Sequence, residues 1–365
     1  MIRLLALFAT LSSVSTTTFA ETIVVWNAKP QFYEGIDNRA SDYKKLNKDL
    51  KPDILILVEV VGQLEVVKIA NAMEWPEHYI AVTDFAIGGH ATYSSLEVAV
   101  ISKIPIVGAV EYDTALDSRT HPVLLNGKPV EEITVTELKL SSSGIPGFGS
   151  PLGHHQRGTL RVDLENGLTI FPVHLQSNRN GSCIDLTDAR AQLKKLGLPI
   201  SGEIDKAIES GFSGATKERL KDALMRESAL AAIENNARNA LRQDRVVVIA
   251  GDFNTSFAKG LAGQIVEDCE LKDFGCAPTA FPASKCAGDG YDDTLSILEN
   301  AITGGDKWTY LSKELDHTYH PPIYDDLAID HAAVPSRYAE KFSKARKGES
   351  RYNSDHYPII FEFNE

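Results

Sequence analysis

Short apolar runs, rich in β-branched residues, recur along the chain and are bounded by turn-forming or charged residues. Runs of four to eight residues with this composition predict β-strands. Several are apolar at every position, which predicts strands that are buried on both faces. The predicted strands are 22–26, 54–61, 98–101, 160–164, 168–173, 246–250, 328–334 and 357–363.

Apolar residues at helical spacing predict two helices among these strands. In 40–50, Tyr43, Leu46 and Leu50 recur at that spacing, and the segment ends before Pro52. In 223–241, leucine, isoleucine and alanine residues fall on roughly one face. Strands and helices are thus interleaved, which predicts a layered α/β or α+β architecture.

The net charge of the chain limits the classes of function that it can have. The chain of 365 residues is 43% hydrophobic and 24% charged, which is ordinary for a globular protein with a substantial core. Its formal net charge of −13 argues against a protein that only coats nucleic acid electrostatically. An acidic chain is still compatible with an enzyme that acts on phosphates through the positive charge of a bound metal ion.

The first twenty residues have the pattern of a cleavable secretory signal. Arg3 precedes a short apolar stretch, 4–10, and Thr18-Phe19-Ala20 places small residues three and one before a cut. The apolar stretch is too short to span a bilayer, and no later stretch approaches 18 apolar residues. We therefore expect a secreted or periplasmic protein without stable membrane insertion.

The number and spacing of the cysteines predict disulfide bonds. The four cysteines are an even number in an oxidising compartment and form no C-x-x-C pair, so we expect one or two disulfide bonds rather than a zinc site. They are Cys183, Cys269, Cys276 and Cys286.

The composition of the chain predicts a single domain, 21–365. Two polar, glycine-containing regions, 111–156 and 184–221, are predicted to be insertions in this domain.

Polar residues that suit catalysis lie at or near the ends of the predicted strands. Each one alone is more simply explained as a turn former, a cap or a structural histidine. Glu59 is the exception, because a carboxylate inside an apolar strand is costly unless it is paired or holds a cation. Their common position at strand ends predicts an active site. The residues are Asn27, Glu59, His174, Asp252, Asn254, Asp330, Asp355 and His356.

These residues stand in motifs that resemble the endonuclease/exonuclease/phosphatase superfamily, which includes pancreatic deoxyribonuclease, abasic-site endonucleases and bacterial sphingomyelinases. The motifs follow the family order from residue 22 to 363. They are Trp26-Asn27, Leu57-Val58-Glu59-Val60, Val98 to Ile106, Val173-His174-Leu175, Gly251-Asp252-Phe253-Asn254, Ile329-Asp330-His331 and Ser354-Asp355-His356-Tyr357-Pro358. The resemblance implies an α+β fold, a four-layer α/β/β/α sandwich of two mixed β-sheets flanked by helices.

The resemblance also implies a divalent metal ion and a phosphate contact. Glu59 and Asn27 would hold Mg²⁺, with Mn²⁺ or Ca²⁺ as alternatives, and Asp355 would approach the same ion or a second one. Carboxylate and amide oxygens suit such hard cations. Arg157 matches an arginine position at which the side chain contacts the substrate phosphate.

Catalytic roles follow from the same resemblance. His356 would be the general base, oriented by Asp330, and Asp252 would position the attacking water. Asn254 would donate a hydrogen bond to a phosphate oxygen as negative charge develops there. His174 would contact the phosphate and protonate the leaving oxygen.

Three functions are compatible with these motifs. A sphingomyelinase needs an aromatic hairpin for the bilayer surface, whereas the tryptophans Trp26, Trp75 and Trp308 are isolated in the sequence. A non-catalytic binding or toxin-like module is free to lose its catalytic residues, whereas here they are all present. We therefore predict a monomeric secreted nuclease with nucleic acid as its substrate. The alternatives are a phosphatase or sphingomyelinase-type phospholipase of the same fold and a non-catalytic module.

Overall fold

The computed structural model describes residues 20–29, 39–83, 97–113, 120–139, 159–176, 214–257, 294–300, 307–320 and 327–364. Residues 1–19 of the predicted signal segment, the four cysteines and Arg157 lie outside these ranges, as does most of the predicted insertion at 184–221. Among the described residues, none of the helices combines the length and the apolar composition needed to cross a membrane.

The described residues form fourteen β-strands. They are β1 Glu21–Asn27, β2 Ile54–Val60, β3 Tyr79–Val82, β4 Glu97–Ser102, β5 Ile106–Asp113, β6 His121–Leu125, β7 Lys128–Lys139, β8 Thr159–Leu164, β9 Leu168–His174, β10 Val246–Asp252, β11 Trp308–Tyr310, β12 Asp330–Pro335, β13 Arg346–Lys347 and β14 Ile359–Phe363.

Four α-helices and a 3₁₀ helix accompany the strands in the described part of the chain. The helices are α1 Ala40–Leu50, α2 Gln63–Ala72, α3 Gly214–Leu241 and α4 Thr294–Glu299, and the 3₁₀ helix is Ser336–Lys341. Helix α1 has the bounds predicted from its apolar spacing, and its C-cap is Lys51, which has φ +48° and lies directly before Pro52. Helix α3 begins nine residues before the predicted start at 223 and ends at the predicted Leu241.

All strands belong to one mixed sheet with the order β11-β12-β10-β9-β8-β5-β7-β6-β3-β4-β2-β1-β14-β13. Strand β1 lies between β2, to which it is parallel, and β14, to which it is antiparallel. Strand β10 has the same surroundings, with β9 parallel and β12 antiparallel. The chain is thus α+β with one large mixed sheet and few helices, whereas we expected two separate sheets.

The segment that joins the two halves of the sheet is β6 and β7. Strand β6 pairs with β3 and with β7, and β7 pairs with β5, so hydrogen bonding is continuous across the order. Both strands lie within 111–156, which we predicted to be an insertion, and they were not predicted from the sequence. The strands were hidden because β7 is mostly exposed and polar, although Val123 and Val135 are fully or almost fully buried.

Alternation along the strands divides the core into three hydrophobic clusters. Ile23 and Val25 of β1 share the first with Leu168 and Ile170 of β9, although these strands lie in opposite halves of the sheet. Residues from both halves of the sheet therefore share this inner cluster. The alternate residues of β1 and β2 pack against α1 and α2, and those of β9 and β10 pack against α3 and α4.

Candidate active site

Three of the predicted residues lie side by side at the ends of neighbouring strands. In the register of the sheet, Asp252 at the end of β10 stands opposite His174 of β9 and Asp330 of β12. All three are at most 3% exposed. Strand pairing alone therefore brings together residues that are far apart in the sequence.

Gly251 allows β10 to approach β9 directly beside these residues. Its φ is +150°, and a Cβ atom built on it would lie 1.9 Å from the carbonyl oxygen of Val173. Such an approach is open only to glycine, because real Cβ atoms do not come within 3 Å of backbone. Gly251 thus fixes the spacing between His174 and Asp252.

Asn27 connects the other half of the sheet to this group. It is completely buried at the end of β1, and its Nδ2 donates to Oδ2 of Asp252 at 3.1 Å. Its Oδ1 accepts the amide of Lys29 at 3.1 Å, which holds the side-chain amide in this orientation. The hydrogen bond joins residues that are 225 positions apart and ties β1 to β10.

Glu59 occupies a β-bulge in β2. The register with β4 shifts between Val58 and Val60, and Glu59 itself has φ +59°. Val58 packs in the inner cluster and Val60 against the helices, so Glu59 is the extra residue between two regular positions. Bulges re-aim a side chain, and here the carboxylate lies 3.4 Å from Nε2 of His174.

His356 and Asp330 form a buried pair. Nδ1 of His356 donates to Oδ2 of Asp330 at 2.8 Å, as the resemblance implied. Asp330 is held in turn because its backbone amide donates to Oγ1 of Thr318 at 3.0 Å. Since Nδ1 is used in this way, Nε2 is the ring nitrogen that remains able to take up a proton.

Crowding of the carboxylates changes the acidity of the site. Burial and the neighbouring Asp330 raise the pKa of Asp252 to about 7, with a further contribution from Glu59 and an opposing one from His356. Burial disfavours the protonated ring of His356, but Asp330, Asp252 and Asp355 outweigh it and raise its pKa to about 10. The site thus concentrates negative charge, which a bound cation would stabilise.

Two groups of side chains in the described part of the chain could hold a metal ion. One is Glu59, His174 and Asp252 and the other is Asp252, Asp330 and His356; within each, the ligand atoms lie within 4.8 Å of one another. Asp355, which we predicted as a ligand, belongs to neither group. Its Oδ2 lies 3.2 Å from Nζ of Lys29.

The remaining catalytic candidate, Asn254, is held at the edge of the site. Its backbone amide donates to Oδ1 of Asp252 at 2.8 Å, and its Nδ2 donates to the carbonyl of Leu175 at 2.9 Å. It also has a positive φ of +53°. Eight of the nine predicted residues thus lie in the described part, and only Arg157 falls outside it.

Two supporting residues were not predicted from the sequence. Ser354 donates to the carbonyl of Asn27 at 2.7 Å and accepts the amide of His356 at 3.0 Å, which joins the two loops. Arg39 is buried and donates to the carbonyls of Ala28 at 2.8 Å and Tyr352 at 2.7 Å. Ser354 stood in a recognised motif, but Arg39 carried no sequence signal, because an arginine before a helix is usually exposed.

Comparison with known proteins gives similarity at the level of structure. No protein-family model and no curated protein sequence matches the chain. The AP endonuclease LMAP from Leishmania major is 15% identical, with a TM-score of 0.51 over 95% of this chain and 88% of that one. The 3'-5' exonuclease NExo from Neisseria meningitidis is also 15% identical, with a TM-score of 0.48 over 94% and 100% of the chains.

A third similar structure is an endonuclease/exonuclease/phosphatase family protein from Bacteroides thetaiotaomicron, which is 12% identical with a TM-score of 0.46 over 95% of this chain and 99% of that one. The similarity to the Leishmania enzyme shows that the chain shares its fold. The resemblance predicted from the motifs is therefore confirmed for the fold. Function has to be argued from the site itself.

Proposed function

We propose that this protein is a secreted or periplasmic, divalent-metal-dependent phosphodiesterase and that its substrate is nucleic acid. The observation that carries the proposal is the buried Asp330–His356 pair beside Asp252, which Asn27 anchors from the other half of the sheet. A histidine oriented by a carboxylate next to an acidic cluster suits general-base activation of water.

His356 and Asp252 have complementary tasks in this mechanism. Asp330 fixes the ring of His356 and stabilises its protonated form once a proton has been taken from water. Asp252 faces the same group, and its carboxylate positions the water for attack on phosphorus. His174, on the adjacent strand, contacts the phosphate and supplies a proton to the leaving oxygen.

The donor set fits a hard divalent cation, for which we propose Mg²⁺. Glu59 and Asp252 offer carboxylate oxygens, and Oδ1 of Asp330 is buried without a hydrogen-bond partner among the described residues. Asn27, which we predicted as a ligand, directs its amide nitrogen and not its oxygen at Asp252. When bound, such an ion supplies Lewis-acid stabilisation of the phosphate and offsets the carboxylate charge that holds the pKa of His356 high.

Nucleic acid is proposed as the substrate because the chain shares its fold with a protein described as an AP endonuclease. Endonuclease action and a monomeric state are parts of the same proposal. We also propose the four-layer α/β/β/α arrangement, which is supported by the three hydrophobic clusters between the sheet halves and the helices.

A panel of substrates tests the proposed function. Purified protein is incubated with plasmid DNA, RNA, sphingomyelin and bis(p-nitrophenyl) phosphate, each with Mg²⁺, Mn²⁺, Ca²⁺ or EDTA. We expect cleavage of a nucleic acid and of the small diester with a divalent ion, and none in EDTA. Full activity in excess EDTA contradicts the metal dependence, and hydrolysis of sphingomyelin alone contradicts the nuclease assignment.

Replacing Glu59 with glutamine should weaken metal binding more than it impairs chemistry. Gln keeps the size of the side chain at the bulge but removes the charge that lies near His174. We expect the Mg²⁺ concentration for half-maximal activity to rise by at least about tenfold, with turnover largely recovered at high Mg²⁺. The control is Glu74→Gln, which changes an exposed carboxylate paired with Lys44. Equal Mg²⁺ dependence of wild type and Glu59→Gln would rule out Glu59 as a ligand.

A further inference from the structure

A segment between Asp330 and Asp355 carries a net positive charge, whereas the chain as a whole is negatively charged. Residues 337–351 contain six basic and two acidic side chains, whereas the whole chain has 37 basic and 50 acidic ones. The basic residues are Arg337, Lys341, Lys344, Arg346, Lys347 and Arg351. A local excess of positive charge on an acidic protein is a site where a polyanion can bind.

The segment is ordered by the fold. The 3₁₀ helix carries its first residues, and Phe342 then packs against Phe361 and Phe363 of β14. Arg346 and Lys347 form β13, which pairs with β14 at the end of the sheet order. The basic side chains are therefore held on a defined surface and not on a free tail.

Two residues at the end of this segment lie close to the aromatic ring of Tyr357. Nζ of Lys347 lies 4.7 Å from the centroid of the Tyr357 ring, and the guanidinium of Arg351 lies 5.8 Å from it. The His317 ring meets the same ring edge-on, with 5.5 Å between the centroids. We call these four residues the Tyr357 platform.

The platform is joined to the catalytic pair through the backbone. Tyr357 directly follows His356, and its amide donates to the carbonyl of Thr318 at 2.6 Å. Thr318 also accepts the amide of Asp330. The carbonyl of Arg351 accepts the amide of Ser354 in a turn, which keeps the two Cα atoms within about 7 Å. Ser354 in turn holds the loop of Asn27.

We propose that the Tyr357 platform binds the nucleic-acid strand next to the phosphate that is cleaved. Lys347 and Arg351 would contact its backbone phosphates, and the aromatic ring would offer a surface for a base or sugar. Cations interleaved with an aromatic side chain are the usual means of binding a single strand without sequence preference. This inference rests on the proposed function, since it names the way in which that site holds a polymeric substrate.

The acidic neighbour of the platform does not prevent such binding. Oδ1 of Asp316 lies 3.6 Å from Nζ of Lys347, but the Asp316 side chain is 75% exposed. The Lys347 side chain is 23% exposed, so the pair is open to solvent mainly on the side of Asp316, where a phosphate can replace the carboxylate.

The test compares two variants that each remove two positive charges. One is Lys347→Gln/Arg351→Gln, and the control is Lys44→Gln/Lys48→Gln on helix α1, whose lysines are exposed. Binding of a fluorescein-labelled single-stranded oligonucleotide is measured by anisotropy with Mg²⁺ in the His356→Ala background, over a range of salt. Hydrolysis of bis(p-nitrophenyl) phosphate, which is too small to reach the platform, is measured with His356 intact.

We expect the platform variant to bind the oligonucleotide roughly tenfold more weakly, with a salt slope reduced by about 1 for each residue. Its hydrolysis of the small diester should equal that of wild type, and the control should change neither value. Tyr357→Phe should keep the binding, whereas Tyr357→Leu should weaken it by about fivefold or more, because a base stack is lost. Arg351→Gln alone should show half of the effect on the salt slope, which keeps the test valid if the double variant does not fold.

Unchanged oligonucleotide affinity and salt slope in folded Lys347→Gln/Arg351→Gln would overturn the inference. So would a variant that loses binding to vesicles containing phosphatidylserine while it binds the oligonucleotide normally, or one that only aggregates more, as expected if the charges merely protect the edge strand. Failure of the proposed function looks different. Wild type would then hydrolyse neither nucleic acid nor bis(p-nitrophenyl) phosphate, while oligonucleotide binding would still depend on the platform.

Discussion

Replacing His356 with alanine is expected to lower turnover on a phosphodiester by at least about 10²-fold, the lower range for a general acid–base group. The same loss is expected for His174→Ala. Both side chains are nearly buried and belong to one group around Asp252. Turnover per folded molecule, with thermal melts run in parallel, checks both expectations.

The two histidines should also act as a unit. Residues that cooperate in one step are strongly non-additive, so the double variant should lose much less than the product of the single losses. The fold should survive the loss of His356, because the pKa of Asp252 is already raised to about 7 and the carboxylates can share a proton. His356→Asn provides a second variant that keeps a donor for Asp330.

His78 supplies the matched control. It is also buried, at 3% exposure, but it lies between α2 and β3, where its amide donates to Oδ1 of Asn126. His78→Ala should lower the melting temperature and leave the turnover of folded molecules unchanged. Near-normal turnover in a stable His356→Ala variant would contradict the mechanism and the role of the Asp330–His356 pair.

Gly251→Ala is expected to destabilise the protein by at least about 3 kcal/mol, in the range seen for backbone strain combined with overpacking. The added Cβ would meet the carbonyl of Val173 at 1.9 Å, so β9 and β10 must separate. Because His174 and Asp252 are the next residues along these strands, the folded fraction should also lose activity. Urea unfolding and turnover measure the two effects.

Gly167→Ala tests the effect of backbone strain in the absence of a steric clash. Gly167 has φ +87°, but a Cβ atom on it would meet nothing within 4 Å. Its substitution should therefore cost only about 1 kcal/mol and leave turnover unchanged. Equal effects of the two substitutions would show that the close approach at Gly251 is unimportant.

The sequence predicted the buried strands well because their signal is local. Strands such as β2, β9 and β10 are mostly apolar, and their observed ends lie within two residues of the predicted ones. Strands with one exposed face were missed, as β7 shows, because their apolar residues are separated by charged ones. How strands pair depends on distant segments, so the single sheet could not be derived from local patterns.

The site residues could be predicted because chemistry-bearing side chains at strand ends are visible in the sequence. Their contacts could not, since they depend on register. The bulge that re-aims Glu59 and the pairing of Asp355 with Lys29 are examples. Arg39 was missed because only its burial under the loop of Tyr352 distinguishes it from a surface arginine.

The pairing of β1 with β14 has a consequence for the time at which activity can arise. Until β14 has been synthesised, β1 lacks one of its two neighbours, and His356 is added only three residues before β14 begins. More than 300 residues separate the two strands. At roughly 5–20 residues per second, this interval lasts tens of seconds. The candidate active site of a nascent chain therefore stays incomplete until both His356 and β14 have been made.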